Sequence, residues 1–369
     1  MWAGFAGYLG FLAWAPRLGR KVVWGTIFLL VTAFAVAPVL LSHDVYSYVD
    51  YARLGVRHGL DPYVHPPLAA PADPAYAEVT WTEATSAYGP LFTLLTYPLA
   101  WLPVGLAVAA LKALAALSVL GIAAIVSRLA GGRGLDPLRA AAFVALNPLV
   151  LVHVVGGAHN DALTMLLATF SVAALLSARE LSGGALLAAA IATKASAAFL
   201  APFALLGAHR HPSVPFGGLA TKRNRRAAGL FAVGCLGGAL VVTGVAWLAF
   251  GWDWLHGFGL AGENQSRTSH MSIPVTTARL TGLDPDAVRL AAALLFAAAV
   301  AYLLAWTWRG GDWVRGAAWT AFALLLATSW LLPWYLLWPL PLVAISRDRP
   351  LQLLTLALTA YQLGARIPL

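Results

Sequence analysis

Long apolar runs, separated by short polar connectors, set the pattern of this chain. The run from 22 to 41 is about 20 residues, the length of a helix that crosses a bilayer. It stops abruptly in Ser42-His43-Asp44-Val45-Tyr46-Ser47-Tyr48. Runs over 104–126, 140–155, 162–178, 227–250, 287–306, 317–332 and from 351 onward read as further spans. With a short first helix over 2–14 and the remaining segments, roughly ten to twelve crossings are expected. Tyr48, Tyr51 and Leu54, spaced by three, predict an interfacial helix over 45–54. The apolar stretch 88–102 lies on or dips into the membrane surface.

One run breaks the pattern. Residues 183–208 are apolar, yet Thr193-Lys194-Ala195-Ser196 interrupts them midway. Both ends meet basic connectors, so two half-length helices folded as a hairpin, with Lys194 at the tip, satisfy the charge distribution best.

Composition sharpens the class. The chain is 60% hydrophobic and only 11% charged, about half the charged share of a soluble domain. Fifteen Trp and eleven Tyr fit the aromatic enrichment of membrane interfaces. The single cysteine, Cys235, excludes a disulfide within the chain. The expectation is an all-α polytopic membrane protein, one transmembrane domain over 1–369.

The net charge of +9 resides in the connectors, where it sets topology and does not indicate nucleic acid. Arg128, Arg133, Arg139, Arg179, Arg309, Arg315 and the basic connector 209–226 belong on the cytoplasmic side. The long first loop, 42–103, and a second loop, 251–286, then face outward. The first carries six acids between 42 and 87, and it is expected to carry interfacial helices.

Several residues at this outer boundary can carry chemistry. Asp44 ends a span beside an acidic loop and is partly desolvated, an environment suited to a general base; the structural alternative is the N-cap of the following helix. His43 and Asp50 are the runners-up as base. His43, Tyr46 and Tyr48 can hydrogen-bond a polar substrate. His159-Asn160-Asp161, after Gly156-Gly157, form either a sugar-binding corner or a helix cap. Lys194, an ionisable residue inside an apolar segment, suits a phosphate, with snorkelling as the alternative. Arg267 and His270 can hold a phosphate or stand as solvated loop charges. Trp334 and Tyr335 belong to an aromatic belt and can stack on a sugar ring. Lys112 reads as a snorkelling or ion-paired residue. No GxxxxGK[ST], HExxH, CxxC or metal-spaced His/Asp cluster occurs, so neither a nucleotide nor a resident divalent metal is indicated.

Three motifs carry a resemblance. Ser42-His43-Asp44-Val45-Tyr46-Ser47-Tyr48 follows an early span. Asn147-Pro148-Leu149 leads to Gly157-Ala158-His159-Asn160-Asp161-Ala162. Leu332-Pro333-Trp334-Tyr335-Leu336-Leu337-Trp338-Pro339 follows late in the chain. In this order they resemble the actinobacterial polyprenol-phosphate-mannose-dependent α-1,6-mannosyltransferases, the MptA/MptB-like members of the GT-C superfamily.

The resemblance implies a GT-C helix bundle in the plasma membrane with its active site facing outward. It implies a polyprenyl phosphomannose donor, a lipid-linked mannan or related glycan acceptor, inversion at the anomeric carbon, and no cofactor. Asp44 takes the place of the family's first-loop base. At 369 residues the chain is shorter than typical members. Two alternatives stay open: a GT-C enzyme using another polyprenyl-phospho-sugar (arabinofuranose or glucose), and a lipid-linked sugar transporter or flippase. The concentration of acids on one side, and the lack of an evident inverted repeat, weigh against a transporter.

Overall fold

The computed structural model describes residues 2–209, 222–263 and 266–364. The middle of the basic connector, 210–221, and Asn264 and Gln265 of the second loop lie outside the described residues. The fold is all-α, with no β-strand among the described residues, as the apolar runs predict.

Sixteen α-helices follow one another among the described residues: α1 (Trp2–Trp14), α2 (Arg20–Val36), α3 (Asp44–Arg57), α4 (Pro90–Thr96), α5 (Val104–Gly132), α6 (Pro137–Ala145), α7 (Asp161–Leu176), α8 (Glu180–Thr193), α9 (Ala201–His209), α10 (Lys222–Phe250), α11 (Leu255–Glu263), α12 (Ile273–Thr281), α13 (Pro285–Trp308), α14 (Trp313–Ala327), α15 (Leu340–Ile345) and α16 (Arg349–Gly364). Among the described residues, only α5, the Arg225–Phe250 part of α10, and α13 are both long and apolar enough to cross a membrane as single helices. The remaining apolar runs are broken into shorter helices, so the expected number of crossings does not appear as that many continuous helices.

Each break has a local cause. The helix α2 ends at Val36 because the residue before Pro38 avoids the helical region, and Ala37 is extended at φ −60°, ψ 158°. After α6, Pro148 stops the helix and Asn147 takes over: its side chain accepts from the Leu149 N–H (3.0 Å) and donates to Thr359 (3.1 Å). A π-helical turn over Val150–Val155 completes that run. The break at 194 follows the expected hairpin. Lys194 is extended at φ −159°, ψ 126°, between α8 and a 3-10 turn, Ala195–Leu200, that leads into α9.

The hairpin direction is fixed by glycines. A Cβ on Gly184 would lie 2.1 Å from the Phe231 carbonyl oxygen, and one on Gly234 would lie 2.1 Å from that of Leu181. Farther along, a Cβ on Gly238 would meet Ala188 at 2.9 Å. Residue numbers rise together in these contacts, so α8 and α10 run parallel at backbone contact. Gly234 and Gly238 form a small-xxx-small seam, the usual route to close helix association in lipid. The helix α9 runs the other way, with Gly207 against Trp313 and Phe203 against Gly316 of α14.

The connectors after α5, α13 and α15 meet at one end of the bundle. There Arg133 pairs with Asp312 and donates to the Ile345 carbonyl (2.8 Å), while Arg315 donates to Asp348 (2.6 Å). The opposite end carries the first polar loop, the Lys194 tip and the segment 266–272. Lys112, inside α5, is buried and donates to the carbonyls of Ala37 and Pro38. It caps the C-terminal end of α2 instead of snorkelling, and it forms no ion pair among the described residues.

Candidate active site

At the polar-loop end a cavity of about 650 Å³ opens between α3, the first loop, the Lys194 tip and the 330–338 segment. That size falls in the range of small-molecule sites. Two loops build its floor. Chain 37–43, extended past Pro38, and chain 156–160, after the π-helical turn, are joined where the Leu40 N–H donates to the Gly156 carbonyl (3.3 Å). Leu41 (φ 61°) and Ala158 (φ 54°) both adopt the left-handed region that favours glycine. Ala158 directly precedes His159 and Leu41 stands two residues before His43, and such strain concentrates at functional sites.

Asp44 is the first residue of α3, with His43 at the N-cap position and no side-chain cap bond. Its carboxylate is therefore not spent on the helix end. Oδ1 accepts from the Trp81 indole (3.3 Å), and Oδ2 lies 3.7 Å from His159 Nδ1. Burial raises its proton affinity above the ordinary carboxylate range, and the Trp81 hydrogen bond and the nearby Lys194 charge only partly oppose this. A partly desolvated carboxylate of that kind is what a general base needs.

The His159-Asn160-Asp161 corner divides its labour. The His159 ring stacks on Trp334, centroids 3.6 Å apart at 16°, which sets it beside Asp44. Asn160 is the N-cap residue of α7 but makes no side-chain cap bond, and its buried amide finds no hydrogen-bond partner among the described residues; it does not line the cavity. Asp161 is fully buried and accepts from Lys194 (2.8 Å) and the Trp338 indole (2.6 Å). Neither the cap nor a direct sugar contact describes Asp161: it anchors the Lys194 tip.

Lys194 lines the cavity with its ammonium already paired, lying 5.1 Å from the Tyr335 centroid and 5.9 Å from that of Trp338. Tyr335 stacks on Trp338 at 4.2 Å. One face of Trp334 and one of Tyr335 are thus taken by internal stacking. Arg267 enters from the far wall, with its guanidinium 5.0 Å from the Trp81 centroid and 5.9 Å from that of Trp330. Among the described residues it makes no ion pair.

His43 and Tyr48 also line the cavity. His43 Nδ1 donates to the Glu78 carbonyl (3.2 Å). Tyr46 stands outside it, its ring 5.4 Å from that of His43. His270 belongs to a second cavity, with Arg279 and Tyr361. Asp50 faces away from the site, buried beside Arg53, Asp73 and His58. Trp81 is the functional candidate that sequence reasoning passed over. A tryptophan in an acidic loop, remote from any apolar run, has no place in an aromatic belt, and that was the available signal. No group of three or more His, Cys, Asp or Glu able to hold a metal occurs among the described residues.

Comparison with known proteins gives this arrangement a family. The model for the N-terminal domain of α-(1→6)-mannopyranosyltransferases, the MptA/B family, matches residues 2–210. Alpha-(1→6)-mannopyranosyltransferase A of Mycobacterium tuberculosis is 31% identical over 93% of this chain and 70% of its own length. The enzyme of the same name from Corynebacterium glutamicum is 31% identical over 62% of this chain and 49% of its own length. A probable α-(1→6)-mannopyranosyltransferase of Mycolicibacterium smegmatis is 31% identical over 40% of this chain and 28% of its own. With over half of its length inside the family model and nearly all of it aligned to a curated relative, the chain belongs to the α-(1→6)-mannopyranosyltransferase family and is a helical membrane glycosyltransferase.

Proposed function

We propose that the chain transfers mannose from a polyprenyl phosphomannose to a hydroxyl of a lipid-linked mannan or related glycan, on the outer face of the plasma membrane and with inversion. The observation that carries this reading is the placement in one cavity of a desolvated carboxylate, Asp44, and a guanidinium, Arg267, that pairs with no acid among the described residues. Asp44 accepts the proton of the acceptor hydroxyl as that oxygen bonds to the anomeric carbon. The bond from the anomeric carbon to the phosphate oxygen breaks, and the polyprenyl phosphate leaves with the electron pair. Arg267, and to a lesser degree the paired Lys194, stabilise the charge that develops on the phosphate. Phosphate leaves readily, so the residues present suffice for a single displacement. The GT-C architecture and the outward orientation rest on the motif resemblance and on the charge of the connectors.

The test is mannose transfer from synthetic polyprenyl phosphomannose to a short α-1,6-mannoside in membranes. Asp44→Asn is isosteric, keeps acceptor capacity for the Trp81 indole and cannot take a proton. Its turnover should fall by 10²-fold or more, as expected for loss of a general base, while the protein stays folded. Wild-type turnover in Asp44→Asn removes Asp44 from the mechanism. A wild type inactive with mannose but active with an arabinofuranose or glucose donor transfers the reading to that sugar.

A further inference from the structure

Three segments remote in sequence, those of Asp44, Trp81 and Arg267, meet at Trp81. Its indole N–H donates to Asp44 Oδ1 at 3.3 Å, and its ring face carries the Arg267 guanidinium at 5.0 Å. On a second side the same guanidinium approaches Trp330 at 5.9 Å. The segment bearing Arg267 is itself tied down: the Ser269 N–H donates to the Ser329 carbonyl (3.0 Å), and the Ser269 hydroxyl to that of Leu331 (2.8 Å).

We infer that Trp81 is the positioning residue of this enzyme, holding the base with its N–H and the phosphate-binding guanidinium with its ring, so that one side chain fixes the separation of the two reacting ends. The inference rests on the assignment of Asp44 and Arg267 proposed above.

The physical argument has two parts. A guanidinium held against aromatic rings uses its π face for the contact and keeps its in-plane N–H donors, the ones that grip phosphate oxygens two at a time. Lys194 differs, because its ammonium is already paired with Asp161. On the other side, an indole N–H can only donate, so it orients one carboxylate oxygen and leaves the other lone pairs for the acceptor hydroxyl. Trp81 is also 37% exposed. Its ring lines the cavity instead of the core, where it is in place to touch both groups.

The test uses Trp81→Phe and Trp81→Ala in the full chain, with kcat and donor KM measured separately across pH. Trp81→Phe removes the N–H and keeps a ring face. It should lower kcat on the order of tenfold, the usual scale for losing a hydrogen bond to a charged group, with donor KM nearly unchanged. Its acidic limb should shift to higher pH, because a donor that favoured the ionised carboxylate is gone. Trp81→Ala should in addition raise donor KM and weaken binding of polyprenyl phosphate alone, read by calorimetry in detergent. Wild-type kcat and an unmoved acidic limb in Trp81→Phe overturn the inference. If Trp81→Ala does not fold, Trp81→Phe and Trp81→His carry the test alone, with the thermal midpoint as control.

A double variant separates this inference from the reading beneath it. In an Asp44→Asn background Trp81→Phe should have no further effect on residual turnover, whereas independent losses would refute the coupling. If Asp44→Asn itself turns over normally, the base assignment has failed, whatever Trp81 does.

Discussion

Individual carboxylates in this protein have been given different work by their surroundings. Asp44 is desolvated and addressed by the Trp81 indole, the Ser42 hydroxyl and the nearby His159 imidazole, while Asp161 is fully buried and bound to an ammonium and an indole. Asp50 is a third case, 1% exposed with one oxygen that has no hydrogen-bond partner among the described residues. Burial and the neighbouring Asp73 charge push its pKa up to about 7, although Arg53 and His58 oppose them. Between about pH 4 and 7 the folded chain holds a proton there that the unfolded chain has released, so this group makes stability fall as pH rises. Asp73 behaves oppositely. Burial would raise it, but Arg53 (2.7 Å), the Ala75 N–H and His58 (2.8 Å) hold it below the usual range, and its contribution is lost in acid. Asp50→Asn should therefore raise the thermal midpoint relative to wild type by an amount that grows from pH 4 to 7 and then levels off. A difference that stays constant or shrinks across that range contradicts the buried-carboxylate account.

At the scale of elements, the site depends on helices that stop and helices that touch. The tip that presents Lys194 exists because α8 ends at Thr193, and α8 is held by backbone contact with α10. The seam leaves no room for a side chain at Gly234. Gly234→Leu should separate the helices and cost about 3 kcal/mol, the upper range for overpacking. Because α8 carries Lys194 at its end, the same change should also lower turnover. Gly229 lies on the same helix with nothing within 4 Å of a Cβ placed there, so Gly229→Leu should leave both thermal midpoint and turnover near wild type. Equal damage from the two substitutions would mean that bulk alone, and not the seam, decides. The first-loop helix α3 shows a related economy: its start is set by the Pro38 break upstream, so Asp44 enters the cavity as the first helical residue instead of capping.

Across the whole molecule the two ends of the bundle do different things. The site end holds cations over aromatics and a carboxylate in a cavity. The other end is a brace of arginines, acids and carbonyls. Asp348 is central to the brace: the Leu351 N–H (3.0 Å), the Trp319 indole (2.8 Å) and Arg315 (2.6 Å) hold its carboxyl below the ordinary range against the effect of burial. Arg315 is partly exposed, so most of the loss in Asp348→Ala comes from the indole and the N–H, about 2 kcal/mol. The thermal midpoint should drop while kcat of the folded fraction stays near wild type, because α14 separates Asp348 from the cavity. A loss of kcat without a loss of stability would show that the brace takes part in turnover.

Much of this was legible in the amino-acid order. Apolar runs of bilayer length, basic connectors and the polar interruption at Lys194 determine an all-α membrane bundle with a hairpin tip, since backbone groups in lipid must be satisfied within helices. The abrupt polar end at Ser42-His43-Asp44 marks a boundary carboxylate. Periodicity has no means of pairing side chains across long separations. That Lys194 meets Asp161, that Asp44 meets Trp81 and His159, that Lys112 caps α2, and that His270 falls into another cavity depend on which loops are brought together. The packing of α8 on α10, the joining of chain 37–43 to chain 156–160 and the tie of Ser269 to Ser329 and Leu331 bring those loops together. Amino-acid order dictates what must be buried in lipid and where charge must stop. The tertiary structure decided which charges meet, because desolvation makes an unpaired buried group costly and only neighbours in space can relieve it.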